Sequence, residues 1–585
     1  MQLPSIGLIS EHALKVTRRF PLVVIIAIIG TISFNILIDD TSTKTTLEIF
    51  NKISLVSLLG LSLLTCIYLL FERSKVNLIH KHIYVALIAL PILIIYYISF
   101  HIDSIDEIRL IFLLFVTYLS VMLSCPFNYK SQQDFWNFNK ILIQRMVIAV
   151  LFTLVLYAGL SLALLALDKL FGIDVSAKAY GHLFGWIAGI FNTLFFLSGI
   201  PENIEDFNTK SYYPKGLKFF TQYILLPLAS LYFVILYVYA ITILAKWELP
   251  RGMVTGLTLA YSALGILSTL FIFPLASSMA NKWLSLFRNW FYRSLFPLIF
   301  LMGFAIFRRV ADYGITIERY LTIVATLWLF GIALYFTISR VKNIKLIPIS
   351  LIIVGALMSY GPQNAFNISQ NSQMKRLNTL LEKYKIMSPE NKSTAIMVKG
   401  KDDSEIHSIV TYLARVHKSD KLYSILSTKS GIKTDSLRKI YPYNLSNLLL
   451  LEADYDKTLI AGEYNAYLEN SEKQPVDISG FDHMYSYVYS ENSRRTEIMS
   501  DKFRTSFDSS KQVLNIIYFS DPADTLIIDL NLMARTGSVK NQLSPNDATI
   551  KAENQYLKVK LLVSNCSGDA RKMTYLNTKI FIKIK

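Results

Sequence analysis

The sequence predicts a polytopic α-helical membrane bundle of about eleven transmembrane helices, followed by a C-terminal α+β domain with an antiparallel β module. Three observations predict it. Apolar runs of the length that crosses a bilayer, about 18 residues or more, fill the first 360 residues and then stop. The short loops between the runs carry Lys and Arg in a one-sided pattern. Beyond Gly361-Pro362 the composition becomes ordinary, and period-two alternation sets in further along.

The spans are expected at 20–38, 53–71, 83–100, 108–125, 146–166, 180–200, 219–244, 253–275, 291–307, 320–338 and 344–360. The first is too long for the core of a signal peptide and lacks a small-residue cleavage pattern, so it reads as a retained helix. Lys15, Arg18 and Arg19 precede it, which places the N-terminus in the cytoplasm. Alternate loops then hold 18 Lys and Arg on that side against 10 on the other, as the positive-inside rule requires. Eleven crossings leave the tail periplasmic. The ninth span is the weak point of this count: Pro297 interrupts a core of only 295–307, between Arg293 and Arg308-Arg309. A re-entrant segment there would invert everything after it.

Hydrophobic residues make up 53% of the 585, and the mean hydropathy is +0.40, which excludes an ordinary soluble enzyme. The net charge of +17 does not indicate nucleic acid, because the positives lie mostly in the loops, where orientation signals belong. The partner they imply is the lipid bilayer. Of the three cysteines, Cys66 and Cys125 fall within spans and Cys566 stands alone in the tail, so no disulfide framework is expected. His407, His417 and His483 lack metal-ligand spacing, and no nucleotide or cofactor fingerprint stands in a supporting context. Neither cofactor nor metal is expected.

The sixth span carries Gly181, Gly185, Gly189 and Thr193 four residues apart. This ridge lets a neighbouring backbone approach closely where lipid offers no hydrophobic drive for association. Gly252, Gly256 and Ala260 form a second such ridge on the eighth span, and Pro227 makes a kink possible in the seventh. Asn192 near the middle of the sixth span, with His182 and Asp168 around its outer end, is a candidate polar pathway. Asp39-Asp40, directly after the first span, is the candidate catalytic pair. This layout is similar in outline to that of membrane glycosyltransferases that use lipid-linked sugars, although the 39–52 loop is shorter than theirs.

The domains expected are a transmembrane bundle over 1–360, a helical linker over 361–445 and a β-rich domain over 446–585. Residues 371–387 read as an amphipathic helix, and Asp402 or Asp403 could cap a second. Leu557, Val559, Leu561 and Val563 alternate with lysines, as do Ile580, Ile582 and Ile584, which is a strand signature. Tyr485, Tyr487 and Tyr489 share one strand face, either as core or as a platform for sugars. With its many spans and a tail containing Ile478-Ser-Gly-Phe-Asp482, the chain resembles an uncharacterised bacterial family, domain of unknown function 4153. The resemblance implies an inner-membrane location and brings no activity. Three functions stay open: transport of a small or lipidic molecule or another envelope role, with the tail binding an envelope protein; sugar transfer through Asp39 and Asp40; and a non-catalytic scaffold or sensor.

Overall fold

A computed structural model describes residues 6–39, 43–73, 76–125, 132–201, 213–246, 253–275, 282–387, 396–449, 451–454, 464–468, 480–490, 502–509, 511–519, 525–530, 542–543, 548–568 and 573–585. They divide into two compact units. The first comprises the described parts of Met1–Thr379, Ile409–Ser427 and Lys433–Pro442, and the second those of Leu380–Ser408, Thr428–Ile432 and Tyr443–Lys585. The region read from the sequence as a helical linker is thus shared between the two units.

In the first unit, an amphipathic helix α1 (Ile6–Arg19) precedes α2 (Pro21–Asp39), α3 (Lys44–Phe71), α4 (Leu78–Ser99), α5 (Ser104–Leu123) and α6 (Gln132–Phe171). Then come α7 (Ala177–Ser198) and α8 (Lys215–Ile243), followed by α9 (Met253–Phe271), α10 (Lys282–Tyr313), α11 (Ile317–Ile338) and α12 (Leu346–Ser359). The starts carry their local signals. Asp103 accepts the backbone N–H of Asp106 to open α5, and Ser176 accepts that of Lys178 to open α7, each satisfying a donor the helix leaves unpaired.

Among the described residues, eight helices are long and apolar enough to cross a membrane, not the eleven expected. The other three depart for different reasons. Helix α5 has the length but carries Asp106, Glu107 and Arg109 near its start. The apolar stretches of α9 and α12 are short, and the 14 residues of α12 reach only about 21 Å of a hydrocarbon core of about 30 Å. The 291–307 segment is no hairpin: it lies inside α10, a continuous helix of 32 residues that runs through Pro297. Near Pro227 the outcome is a π-helical turn, Phe220–Leu225, that ends two residues before the proline. The wider turn accommodates the missing N–H and the pyrrolidine ring.

Close packing follows the small residues. A Cβ on Gly30 would lie 2.7 Å from that of Ser57 on α3, so α2 and α3 pack almost backbone to backbone. On α9 the close contact belongs to Gly265, whose added Cβ would overlap the ring of Phe291 on α10. The predicted ridge on that helix does not make it: nothing lies within 4 Å of a Cβ on Gly256, and Gly252 falls outside the described residues. This unit also takes in Ala365–Thr379, the first part of helix α13 (Ala365–Lys383). Ser369 there meets Tyr412 at 2.8 Å and the buried His417 at 3.3 Å. Burial pushes the His417 imidazole down to about 4.

The second unit contains the β structure. Strands β1 (Ile396–Lys399) and β2 (Leu451–Asp454) pair in parallel, with Ile396 opposite Leu451. Asp402 and Asp403 lie within the first turn of helix α14 (Gly400–Tyr412) rather than capping it, and Asp402 accepts from the Tyr384 hydroxyl at 2.6 Å. Strand β3 (Leu557–Gly568) and strand β4 (Met573–Ile584) form the centre of a six-stranded sheet, with Leu561 opposite Ile580 and Val559 opposite Ile582. A three-stranded antiparallel sheet of Phe503–Asp508, Val513–Tyr518 and Leu526–Asp529 shares one apolar core with it, as in a sandwich. The tyrosine face is turned into that core. Tyr487 is buried, and Tyr485 and Tyr489 pack edge-on against Phe503 and Phe507, with ring centroids 5.2 and 4.8 Å apart.

Candidate functional site

The glycine ridge of α7 and the polar residues of α2 meet along one seam. Built onto the ridge, a Cβ at Gly181 would lie 3.1 Å from Ile38, one at Gly185 would lie 2.9 Å from both Phe34 and Asn35, and one at Gly189 would lie 2.0 Å from the Thr31 hydroxyl. The ridge therefore presses α7 against the face of α2 that carries Thr31, Asn35 and Asp39, which are spaced four residues apart and so stack on one side of the helix.

His182 stands at the Asp39 end of this seam. Its Nδ1 lies 2.7 Å from Asn35 Oδ1, and its Nε2 lies 2.9 Å from Asp39 Oδ1. The Asn35 amide is oriented by its other atom, since Nδ2 donates to the Thr31 carbonyl at 2.7 Å. Oδ1 can then only accept, and Nδ1 carries a hydrogen. The second ring nitrogen faces a carboxylate oxygen, so that contact is a hydrogen bond only when one proton is held between Nε2 and Asp39. At that end the Lys178 ammonium donates to the Asp39 backbone carbonyl at 2.5 Å. The Asp39 side chain is about half exposed at 52%, whereas Asn35 is buried. The string thus runs from an accessible acid to a sheltered amide.

The sequence placed these residues in different groups. Spacing pairs Asp39 with Asp40, which falls outside the described residues, and groups His182 with Asp168. The structure pairs Asp168 with its neighbour Lys169 at 2.8 Å and His182 with Asp39. Asn192 turns towards α6, where it accepts from the Thr153 hydroxyl at 3.2 Å. It follows directly on a π-helical turn, Ile187–Phe191, that includes Gly189, and such turns are frequent at functional positions. Asn35 was missed altogether. The signal available was its spacing of four from Asp39 inside an otherwise apolar run.

A second polar knot lies where α2 begins. Arg19 grips Glu72 with two hydrogen bonds of 2.9 and 2.8 Å and also donates to the carbonyls of Ile200 and Pro201. Lys81 binds the same carboxylate at 2.9 Å. These groups join the α1–α2 junction to the ends of α3 and α7 and the start of α4. Read from the sequence, Arg19 and Lys81 were orientation charges only. Among the described residues, no group of three or more His, Cys, Asp or Glu could hold a metal ion.

A many-helix apolar bundle with this polar seam is a membrane-protein architecture. The chain belongs to the family described as Domain of unknown function (DUF4153), which matches residues 22–382. It is also similar to an uncharacterized protein of Pasteurella multocida (strain Pm70), with 22% identity over 365 residues, 62% of this chain and 58% of that protein. The chain therefore matches less than two thirds of that relative's length. No solved structure matches the chain.

Proposed function

We propose that this is an inner-membrane protein that moves a small or lipidic molecule in step with a proton held between Asp39 and His182. The observation that carries the reading is the seating of His182 between Asn35 and Asp39, in a seam closed by glycines. An ionisable group within a spanning segment, paired and open to water at one end, is the usual form of a proton relay. The charge pattern of the loops supports a cytoplasmic N-terminus and, with it, an Asp39 at the outer surface. On this reading α5, α9 and α12 also cross, sheltered by their neighbours, which makes eleven crossings and a periplasmic tail able to bind an envelope partner.

The test uses the full-length protein in vesicles that contain a pH-sensitive dye. Envelope solutes and lipid headgroup compounds are added from outside. A transported compound is expected to drive proton movement with the wild type, slowed at least about tenfold in Asp39→Asn and His182→Gln, as for loss of a positioned acid–base group. Proton movement that survives both substitutions would overturn the proposal. Sugar transfer from a lipid-linked donor without proton movement would favour the glycosyltransferase reading instead.

A further inference from the structure

Residues of α9, α10 and α11 and of the loop after α11 line a small cavity of about 20 Å³, with Thr269, Phe273, Arg288, Tyr292, Phe336 and Lys342 among them. A space of that size takes one water-sized group. Two of the lining residues are cations. The Arg288 Nε is buried and has no hydrogen-bond partner among the described residues. Lys342 meets a neutral group, its ammonium donating to Asn289 Oδ1 at 2.9 Å. No Asp or Glu occurs from 249 to 311 or from 319 to 381, the stretches that supply every lining residue. Burial and the charges of Arg288 and Arg293 hold the Lys342 ammonium below its ordinary value. The uncharged polar groups, by contrast, satisfy one another. Thr269 donates to the Ile266 carbonyl at 2.8 Å, and its hydroxyl lies 3.0 Å from that of Tyr292.

A buried donor without a partner calls for an explanation, and an ion is one. Lys342 also holds a left-handed backbone conformation, with φ 30°. Such conformations are uncommon for a residue with a side chain and recur where a ligand is clamped. The level of the cavity in the bilayer follows from α10, on which Trp283 and Trp290 are exposed and Arg293 lies over the Trp290 ring at 5.5 Å. Exposed tryptophans on a spanning helix sit at headgroup height, and Arg288 is only about 3 Å along the axis from Trp290.

We propose that this cavity receives one oxygen of a phosphate group, held by Arg288 and Lys342, with the rest of the group at the mouth. A guanidinium and an ammonium without a carboxylate select an anion, and phosphate oxygens suit both donors. The phosphate belongs to an anionic phospholipid or is free in solution, and the tryptophan pair favours the lipid. This site is separate from the Asp39–His182 seam, and neither proposal depends on the other.

The test is the unfolding temperature of the full-length protein in a neutral detergent. One arm compares sodium phosphate with sodium chloride at equal ionic strength, and the other compares micelles doped with phosphatidylglycerol or phosphatidylcholine. A saturable rise of about 3 °C over the control is expected in at least one arm. A rise with phosphatidylglycerol alone assigns the site to a lipid headgroup, and a rise with inorganic phosphate shows that the free anion suffices. Arg288→Met and Lys342→Gln should each remove the rise. Arg340→Gln, at an exposed cation of the same loop, should keep it. Before any phosphate or anionic lipid is added, Arg288→Met should unfold at or above the wild-type temperature, since a half-buried charge without a counter-ion is better replaced by an apolar group. No rise in either arm, a rise that survives Arg288→Met or Lys342→Gln, or an Arg288→Met protein already less stable without ligand would overturn the proposal.

Discussion

Glu72→Ala is expected to destabilise the purified protein by about 3–5 kcal/mol, as when a buried ion pair loses one partner. The side chains of Arg19 and Lys81 are only 12% and 8% exposed, so neither can regain the carboxylate's contribution from water. Replacing Arg19 and Lys81 with Met in the same protein should recover part of the loss, because the cost lies in stranded charge rather than in missing volume. Acid should mimic the substitution. Burial alone would raise the Glu72 carboxyl, but the hydrogen bonds and charges of Arg19 and Lys81 outweigh it and hold the group below its ordinary value of 4.5. Its contribution is then complete above about pH 4.5 and fades as the pH falls through the lower folded-state value. Thermal unfolding in detergent between pH 3 and 7, approximately the range where carboxylates titrate, measures both effects. An unchanged melting point in Glu72→Ala would show that the knot is dispensable.

Gly265→Val should cost about 3 kcal/mol, at the upper end of overpacking penalties. The first added carbon would lie 1.8 Å from Phe291, and that ring has little room to retreat. Tyr261, Phe287 and Tyr292 surround it, with centroids 5.7, 5.9 and 5.0 Å away. Gly256→Ala on the same helix meets nothing within 4 Å and should leave stability unchanged or slightly raised by helix propensity. The half-life of the folded protein at fixed temperature distinguishes the two variants, and similar behaviour would contradict the packing described for α9 and α10.

Gly256 and Gly185 mark the limit of what a single sequence reveals. Regular spacing makes both Gly256 and Gly185 look like contact points, yet only Gly185 meets a neighbour, because the partner helix is chosen by the tertiary fold. The apolar runs themselves were legible, since length and hydropathy are local properties. So was the inward face of the strand 557–568, where Leu557, Val559 and Leu561 are buried as their alternation with lysine requires; which strand lies opposite was not. The Asp39–His182 contact was not legible: the two residues are 143 positions apart, and nothing local in α2 identifies the helix that lies against it. Spacing alone grouped His182 with Asp168. The Arg19–Glu72–Lys81 knot was hidden for another reason, since loop cations report orientation and fold contacts in the same residues.

The seam between α2 and α7 centres on one proton held between Asp39 and His182, with Asn35 fixing the ring. Nitrogen NMR of the histidine-labelled full-length protein in bilayers tests it most directly, with His182→Asn identifying the signal among the eight histidines. A protonated Nδ1 is expected, together with an Nε2 resonance that moves when Asp39 becomes Asn. An Nδ1 without a hydrogen, or an Nε2 resonance indifferent to Asp39→Asn, would contradict it.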